Sequence, residues 1–270
     1  MADLIVIPAR YGSSRLPAKP LLPIAGTTLL HRMIAIARAA ARLAGGIEVV
    51  VATDDARIAD HAAAVGCAVA LTDPALASGS DRVRAVAADR AGPDDLVMNL
   101  QGDAPFTPPA MAAAVLAAAR ARRSAVATPV IRLDWAALDR LRAQKAAAPF
   151  SGTTCIRAAD GRALWFSKTI LPAIRGEEAL RAAGPLSPVW RHVGLYVYRR
   201  AILDRFAALP PSPYELLEGL EQLRLLEADI PIDTVAVDPP PIAMSGIDAP
   251  ADLIEAERLV ALHGDPHEPL

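Results

Sequence analysis

Leu4-Ile-Val-Ile-Pro-Ala-Arg-Tyr-Gly-Ser-Ser-Arg-Leu-Pro-Ala-Lys-Pro20 is the stretch on which the reading of this chain turns. Leu4 to Pro8 is a short apolar run ended by a proline, the pattern of a buried β-strand. It is too short for a signal peptide. Behind it, Pro8 to Pro20 packs two arginines, one lysine, two serines and a glycine into a single loop. Arg10, Arg15 and Lys19 can converge on a triphosphate, while Gly12, Ser13 and Ser14 let backbone and hydroxyl donors approach phosphate oxygens. The loop has neither the GxxxxGK[ST] of a Walker A site nor the GxGxxG of a dinucleotide site. Its place directly after a first strand favours ligand binding over a merely solvated basic loop.

Outward from that loop, strand-like and helix-like runs alternate. A helix is expected over Thr28 to Leu43, a strand over Ile47 to Ala52, a helix over Asp55 to Val65 and a short strand over Ala68 to Leu71. A helix over Ser80 to Ala91 and a strand over Leu96 to Leu100 follow. The strands are continuously apolar, which indicates burial on both faces of a parallel sheet. Strand, helix and strand in series predict right-handed crossovers and a doubly wound, mostly parallel, Rossmann-like α/β fold. Ligands of such sheets bind beyond the carboxyl ends of the strands.

The second half is less regular. Strands are expected over Ser124 to Arg132 and His192 to Tyr198, with a hairpin around Asp160-Gly161 joining Thr153–Arg157 to Arg162–Phe166. Helices are expected over Trp135 to Lys145, Ala201 to Ala208, Pro213 to Ala228 and Pro250 to His263, with a further strand over Ile232 to Val237. The whole of 1–270 reads as one α/β domain, with residues of about 145–215 as a smaller inserted lobe. No repeat and no long linker divides it.

Bulk properties narrow the function. Apolar residues make up 53% of the 270, so a large core is available. A formal charge of −2 argues against nucleic acid or an anionic membrane held by bulk electrostatics. No run approaches the roughly 18 apolar residues of a membrane span, and the cytoplasm is the expected location. Cys67 and Cys155 sit in apolar stretches without ligand spacing and read as buried free thiols.

Two further constellations carry chemistry. Asn99-Leu-Gln-Gly-Asp103 ends a strand on an aspartate suited to hold Mg²⁺ against phosphates, or simply to cap the turn. Ser245-Gly-Ile-Asp248 opens the last helix, where Asp248 is either its N-cap or a second metal ligand facing Asp103. Sequence spacing leaves both alternatives open. Ser78-Gly79-Ser80-Asp81-Arg82 reads as a helix start with a capping serine.

Taken in order, the chain resembles the Kdo cytidylyltransferase (CMP-Kdo synthetase) family over nearly its whole length. The segments that carry the resemblance are IPARYGSSRLPAKPL, VATDD, SGSDR, NLQGDAP, ALWFSK, RHVGLYVYRR, SPYELLEGLEQLRLL and SGIDAPADL. It implies transfer of CMP from CTP to an acidic sugar of the 3-deoxy-manno-octulosonate (Kdo) type, with Mg²⁺ as cofactor and a homodimer as the assembly. The resemblance places Arg10, Ser13, Ser14, Arg15 and Lys19 on the CTP phosphates, and Ser78, Gly79 and Arg82 around the cytosine. Asp103 and Asp248 would hold Mg²⁺, and with Arg15 and Lys19 they form the implied catalytic set. Gln101, Lys168, His192, Tyr196, Glu221 and Gln222 would line the sugar pocket, His192 as general base or as a hydrogen-bond partner of hydroxyls.

The chain also departs from the family. Ala104 stands where QGDEP has glutamate, Ser151-Gly-Thr-Thr154 lacks the usual lysine, Lys168 replaces the arginine of FSR, and Trp165 replaces a common tyrosine. The changes gather on the sugar side, so a modified Kdo such as an 8-amino derivative, or another ulosonic acid, stays open as acceptor. A nucleotidyltransferase acting on a sugar 1-phosphate and a non-catalytic nucleotide-binding paralogue are the rival readings.

Overall fold

In the computed structural model, which describes residues 2–12, 16–76, 78–242, 244 and 246–266, the first strand alternates between two buried layers. Along β1 (Leu4–Ala9), Leu4 and Val6 enter one hydrophobic core while Ile5 and Ile7 enter the other. A strand buried on both faces must be apolar at every position, which is why the run shows no polar alternation.

The first half runs β1, a small hairpin of β2 (Pro23–Ile24) and β3 (Thr27–Thr28), then α1 (Leu29–Leu43), β4 (Glu48–Thr53), α2 (Ala56–Ala64), β5 (Ala68–Leu71), α3 (Gly79–Arg90), β6 (Leu96–Leu100) and α4 (Pro109–Arg122). The order β5-β4-β1-β6 is parallel throughout, as the alternating pattern requires. Helices α1, α2 and α4 cover one face and α3 the other.

The second half runs β7 (Val126–Asp134), α5 (Trp135–Ala147), β8 (Thr154–Arg157), β9 (Ala163–Ser167), α6 (Glu177–Ala183), β10 (Leu186–His192), β11 (Leu195–Arg199), α7 (Arg200–Ala208), α8 (Pro213–Glu218), α9 (Gln222–Glu227), β12 (Ile232–Ala236) and α10 (Pro250–His263). These strands extend the same sheet in the order β6-β11-β7-β10-β8-β9. All of those pairings are antiparallel, and β12 lies parallel to β7 on its other side. The sheet is therefore mixed, a parallel Rossmann-like half joined to a β-rich end on which α5 packs through Trp135, Leu138 and Leu141.

Three local expectations change. The single strand expected over His192 to Tyr198 is the junction of β10 and β11, both lying along β7. His192 faces Val130 and Val197 faces Ala127, so five steps on one strand (192 to 197) oppose three on the other (130 to 127). Val193 and Gly194 are the two extra residues, a bulge that ends pairing with β8 and starts pairing with β6. The helix expected over Pro213 to Ala228 is broken in two, because Gly219 takes the left-handed conformation (φ 64°) that closes α8. Helix α6 lies between the expected hairpin and the expected strand at His192, a stretch to which the sequence reading assigns no element, and it has no buried residue and hence no apolar stripe to betray it.

The far end of the chain is tied back to the beginning. Arg32 of α1 is almost wholly buried, donates from Nε and Nη2 to the Ile24 carbonyl, and forks onto the Asp265 carboxylate at 2.7 Å through both terminal nitrogens. Removing the partner of a buried charge leaves that charge uncompensated. Asp265→Ala should therefore lower unfolding stability by about 3–5 kcal/mol, read as a lower urea midpoint at unchanged slope. An effect within error would show that Arg32 is satisfied without the tail.

Candidate active site

The carboxyl ends of β1 and β6 meet at one point because Gly102 has no side chain. A Cβ there would lie 2.7 Å from the Pro8 carbonyl oxygen, inside contact distance. Gly79 plays a looser version of the same part, its missing Cβ 3.4 Å from the Pro8 ring, so the N-terminus of α3 closes on the same strand end. Three motifs separated in sequence are thus drawn together around Pro8.

After β1 the loop is fixed at its far side. Ala18 donates its N–H to the Tyr11 carbonyl (3.1 Å), Pro20 is buried in the single 3-10 turn Lys19–Leu21, and Leu16 is buried as well. Arg10 is exposed at the strand end. Ser13, Ser14 and Arg15 lie outside the described residues. The Lys19 ammonium reaches Asp103 Oδ2 (2.9 Å), the Ile247 carbonyl (2.8 Å) and Asp248 Oδ1 (3.4 Å). The Ile247 N–H donates to the Asp103 carbonyl (2.8 Å), stitching the two acidic segments together. Asp103 and Asp248, which are distant in sequence, therefore share one cation. Asp248 is not the N-cap of α10: that helix starts at Pro250, and it is Asp252 that accepts the N–H groups of Asp248 and Ala249.

On the neighbouring edge, Ser78 caps α3. Its hydroxyl accepts from the Asp81 N–H (3.1 Å) and donates to the Asp81 carboxylate (2.8 Å). The Ser78 N–H also donates to the Asp81 carboxylate (3.1 Å) and its carbonyl accepts from the Arg82 N–H (3.3 Å), so Ser78 is committed to the start of the helix. Arg82 is buried and held from both sides, by Thr72 Oγ1 (2.7 Å) and Asp54 Oδ2 (2.8 Å). Its guanidinium is a fixed feature of the wall, not a mobile contact.

The remaining predicted residues surround the bulge. Gln101 follows β6 and lies against Gly194, where a Cβ would come within 3.3 Å of the Gln101 amide oxygen. His192 ends β10, with its ring 5.1 Å from Phe166 and 5.4 Å from Tyr196. Thr128 Oγ1 lies 2.7 Å from the Leu195 carbonyl, to which it must donate, and 2.9 Å from His192 Nε2. With the hydroxyl proton committed, His192 Nε2 carries the hydrogen and Nδ1 is left as an acceptor. Burial, reinforced by the positive charge of Lys168, pushes the His192 pKa down to about 3, so the ring is neutral. Burial likewise lowers the Lys168 ammonium, against the partial support of Glu218 and Asp248. Lys168 thus senses both His192 and Asp248, and it links the two halves of the site electrostatically.

A polar cluster closes the far wall. Ser80 donates to Glu221 Oε2 (2.8 Å), and Asn99 of β6 stands opposite Tyr196 in the β6–β11 pair. Loss of hydration raises the Glu221 carboxyl, opposed by the Ser80 hydrogen bond, and raises Tyr196 well above the ordinary phenol. Tyr196 Oη, Gln222 Nε2 and Asn99 Oδ1 are buried with no partner among the described residues. Buried polar atoms are seldom left so, and the facing pair Asn99 and Tyr196 suits a hydroxyl-rich ligand.

Several supporting residues escape a reading of the sequence. Asn99 had a signal, a polar residue within an otherwise apolar strand. Thr128, Ser80 and Asp54 had none, since each looks like an ordinary strand, helix-start or turn residue. Glu218 accepts from Ser167 Oγ (2.8 Å) and from the Lys168 N–H (2.7 Å), fixing the end of β9. Lys145, from α5, donates to the carbonyls of Ser151, Gly152 and Lys168, bracing the segment where the family's usual lysine is missing.

Comparison with known proteins shows the family. Residues 4–232 match the model of the cytidylyltransferase family. The chain is 41% identical over 266 residues to the 3-deoxy-manno-octulosonate cytidylyltransferase of Maricaulis maris (strain MCS10), covering 98% of this chain and 99% of that one. It is 43% identical over 268 residues to the enzyme of the same name from Xanthomonas euvesicatoria pv. vesicatoria (strain 85-10), covering 96% and 97%. The solved structure of CMP:2-keto-3-deoxy-manno-octonic acid synthetase complexed with CTP superposes with a TM-score of 0.80 at 35% identity, over 97% of this chain and 99% of that one. With the family model matched over 4–232, relatives above 40% identical along nearly the whole length and the fold superposed, this chain belongs to the CMP-Kdo synthetase (3-deoxy-manno-octulosonate cytidylyltransferase) family.

Proposed function

We propose that this protein transfers CMP from CTP to the anomeric 2-hydroxyl of a Kdo-like sugar acid and releases pyrophosphate. The observation that carries the proposal is the meeting of Lys19, Asp103 and Asp248 at the carboxyl ends of β1 and β6, beside the polar wall of His192, Tyr196 and Gln222. In the reaction the sugar oxygen forms a bond to the α-phosphorus, and the bond from that phosphorus to the bridging oxygen of the leaving pyrophosphate breaks. No protein nucleophile takes part. Arg10, Ser13, Ser14, Arg15 and Lys19 hold the phosphates, while the backbone of Ser78 and Gly79 and the fixed Arg82 border the base. Rate enhancement comes from positioning and charge stabilisation.

Two carboxylates and a carbonyl form an oxygen-only donor set of the kind Mg²⁺ takes. Among the described residues no group of three or more His, Cys, Asp or Glu side chains could hold a metal. Asp103 and Asp248 would hold Mg²⁺ together with the nucleotide phosphates. When bound, the ion neutralises phosphate charge and acidifies the attacking hydroxyl. His192 then works as a neutral acceptor through Nδ1 and orients a sugar hydroxyl; a ring with so low a pKa is a poor general base. Lys168 faces the sugar carboxylate as a point charge, without the fork of an arginine. That difference, with Ala104, keeps an 8-amino Kdo or another ulosonic acid among the acceptors.

We place the protein in the cytoplasm as a homodimer. No helix among the described residues is long and apolar enough to cross a membrane. Leu164 on the edge strand β9 and Tyr214, Leu216 and Leu217 on α8 are exposed, an apolar surface that a second copy would cover.

Three measurements test these statements. Pyrophosphate should appear from CTP and Mg²⁺ with one of Kdo, 8-amino-Kdo or sialic acid offered separately, and Asp103→Asn should slow it on the order of 10²-fold. Release with a sugar 1-phosphate instead, or unchanged turnover of the variant at every Mg²⁺ concentration, would defeat the assignment. Because the native state refuses a proton at His192 that the unfolded chain accepts below about pH 6.5, stability should fall as pH drops from there towards 3. His192→Gln should flatten that acid limb by up to about 1.4 kcal/mol per pH unit, whereas parallel urea-stability curves would deny the shift. Leu217→Glu should move the sedimentation mass towards the monomer; an unchanged mass would place the interface elsewhere.

A further inference from the structure

The Lys19 ammonium stands where a cation shared by Asp103 and Asp248 would have to stand. Its three oxygen contacts, Asp103 Oδ2, the Ile247 carbonyl and Asp248 Oδ1, are the donor set that a divalent ion would use. Like charges exclude one another at such range, so ammonium and divalent ion cannot occupy the place together. We propose that Lys19 acts as a resident counter-cation of the Asp103–Asp248 pair, and that nucleotide phosphate draws it away, so that divalent-cation binding at the pair is coupled to nucleotide binding. The inference rests on the reading of that pair as the metal site.

The main chain around Lys19 makes this a side-chain movement. Ala18 is bonded to Tyr11, Leu21 donates to the Ala18 carbonyl (2.8 Å), and Pro20 is buried between them. The Cα of Lys19 is therefore held, and a change of partner falls to the rotatable bonds of its four-carbon stem. The loop bearing Arg10 supplies the alternative anchorage for a phosphate, on the same strand end. Asp103 and Asp248 stay together when Lys19 leaves, because the Ile247 N–H bond to the Asp103 carbonyl is independent of the lysine. Without nucleotide, Lys19 offsets one of the two carboxylate charges and competes with a divalent ion. With nucleotide, the ammonium gains phosphate oxygens and the carboxylates gain the metal. By reciprocity, the metal then tightens nucleotide by the same factor.

The test is a Mn²⁺ titration of the full chain without nucleotide, followed by electron paramagnetic resonance of the free ion. The wild type should bind Mn²⁺ weakly at this pair, Lys19→Gln should bind it at least tenfold more tightly, and Lys19→Gln combined with Asp103→Asn should lose the gain. Lys19→Met, of similar length and uncharged, repeats the measurement should the glutamine variant fold poorly. A neutral variant that binds no more tightly than wild type, or a wild type already tight without nucleotide, would overturn the proposal. Turnover of Asp103→Asn with CTP reads the metal assignment separately, so a failure of the coupling and a failure of the site are told apart.

Discussion

The pairing of β10 and β11 along one side of β7 is the constraint from which the active-site architecture follows. Both strands belong to one continuous segment, but the two extra residues at Val193 and Gly194 shift its register and change its outer neighbour from β8 to β6. A regular strand would have kept a single neighbour and closed the sheet. The bulge instead parts β6 from β8 where β6 ends, and Gly194 leaves room there for Gln101. The carboxyl ends of the parallel strands, where backbone donors and loop side chains collect, are thereby set beside His192 and Tyr196 on the antiparallel side. Nucleotide and sugar residues come from different halves of the chain and meet at this seam.

Charge balance governs the rest of the site. Three buried or half-buried cations have a carboxylate counterpart: Arg82 has Asp54, Arg32 has Asp265, and Lys19 has Asp103 with Asp248. The first two pairs are fixed parts of the scaffold, since breaking one would leave a charge without water or partner. The Lys19 group differs because one of its carboxylates is half exposed and its cation is on a flexible stem. The same interaction that stabilises the ligand-free site is the one that a phosphate and a divalent ion can exchange. Neutral groups complement it on the sugar side, where His192 is kept uncharged by burial and by Lys168.

Much of this was legible in the residues. Apolar runs with no polar alternation identified β1, β4 and β6 as doubly buried strands; the capping serine Ser78 marked the start of α3, and the expected helix starts Thr28 and Asp55 are the N-caps of α1 and α2. Asp160-Gly161 marked the β8–β9 hairpin, with Gly161 at positive φ. The phosphate loop announced itself by its density of cations after a strand. Helix α6, the break at Gly219 and the bulge at Val193-Gly194 were not legible. The first has no apolar face, and the other two depend on which strand or helix lies opposite.

The sequence by itself determined the parallel half of the sheet, the chemistry gathered at its strand ends and the family to which the motifs point, because these depend on local periodicity and on residue type. Only the tertiary structure decided that Asp103 and Asp248 share one cation, that Asp248 faces Lys19 while Asp252 caps the helix, and that His192 is neutral with Nδ1 as its acceptor. Those outcomes depend on distances between segments far apart in the chain. Such distances are set by close approaches, such as Gly102 on Pro8, and by hydrogen bonds, such as Thr128 to Leu195, which no spacing of residues along the chain encodes.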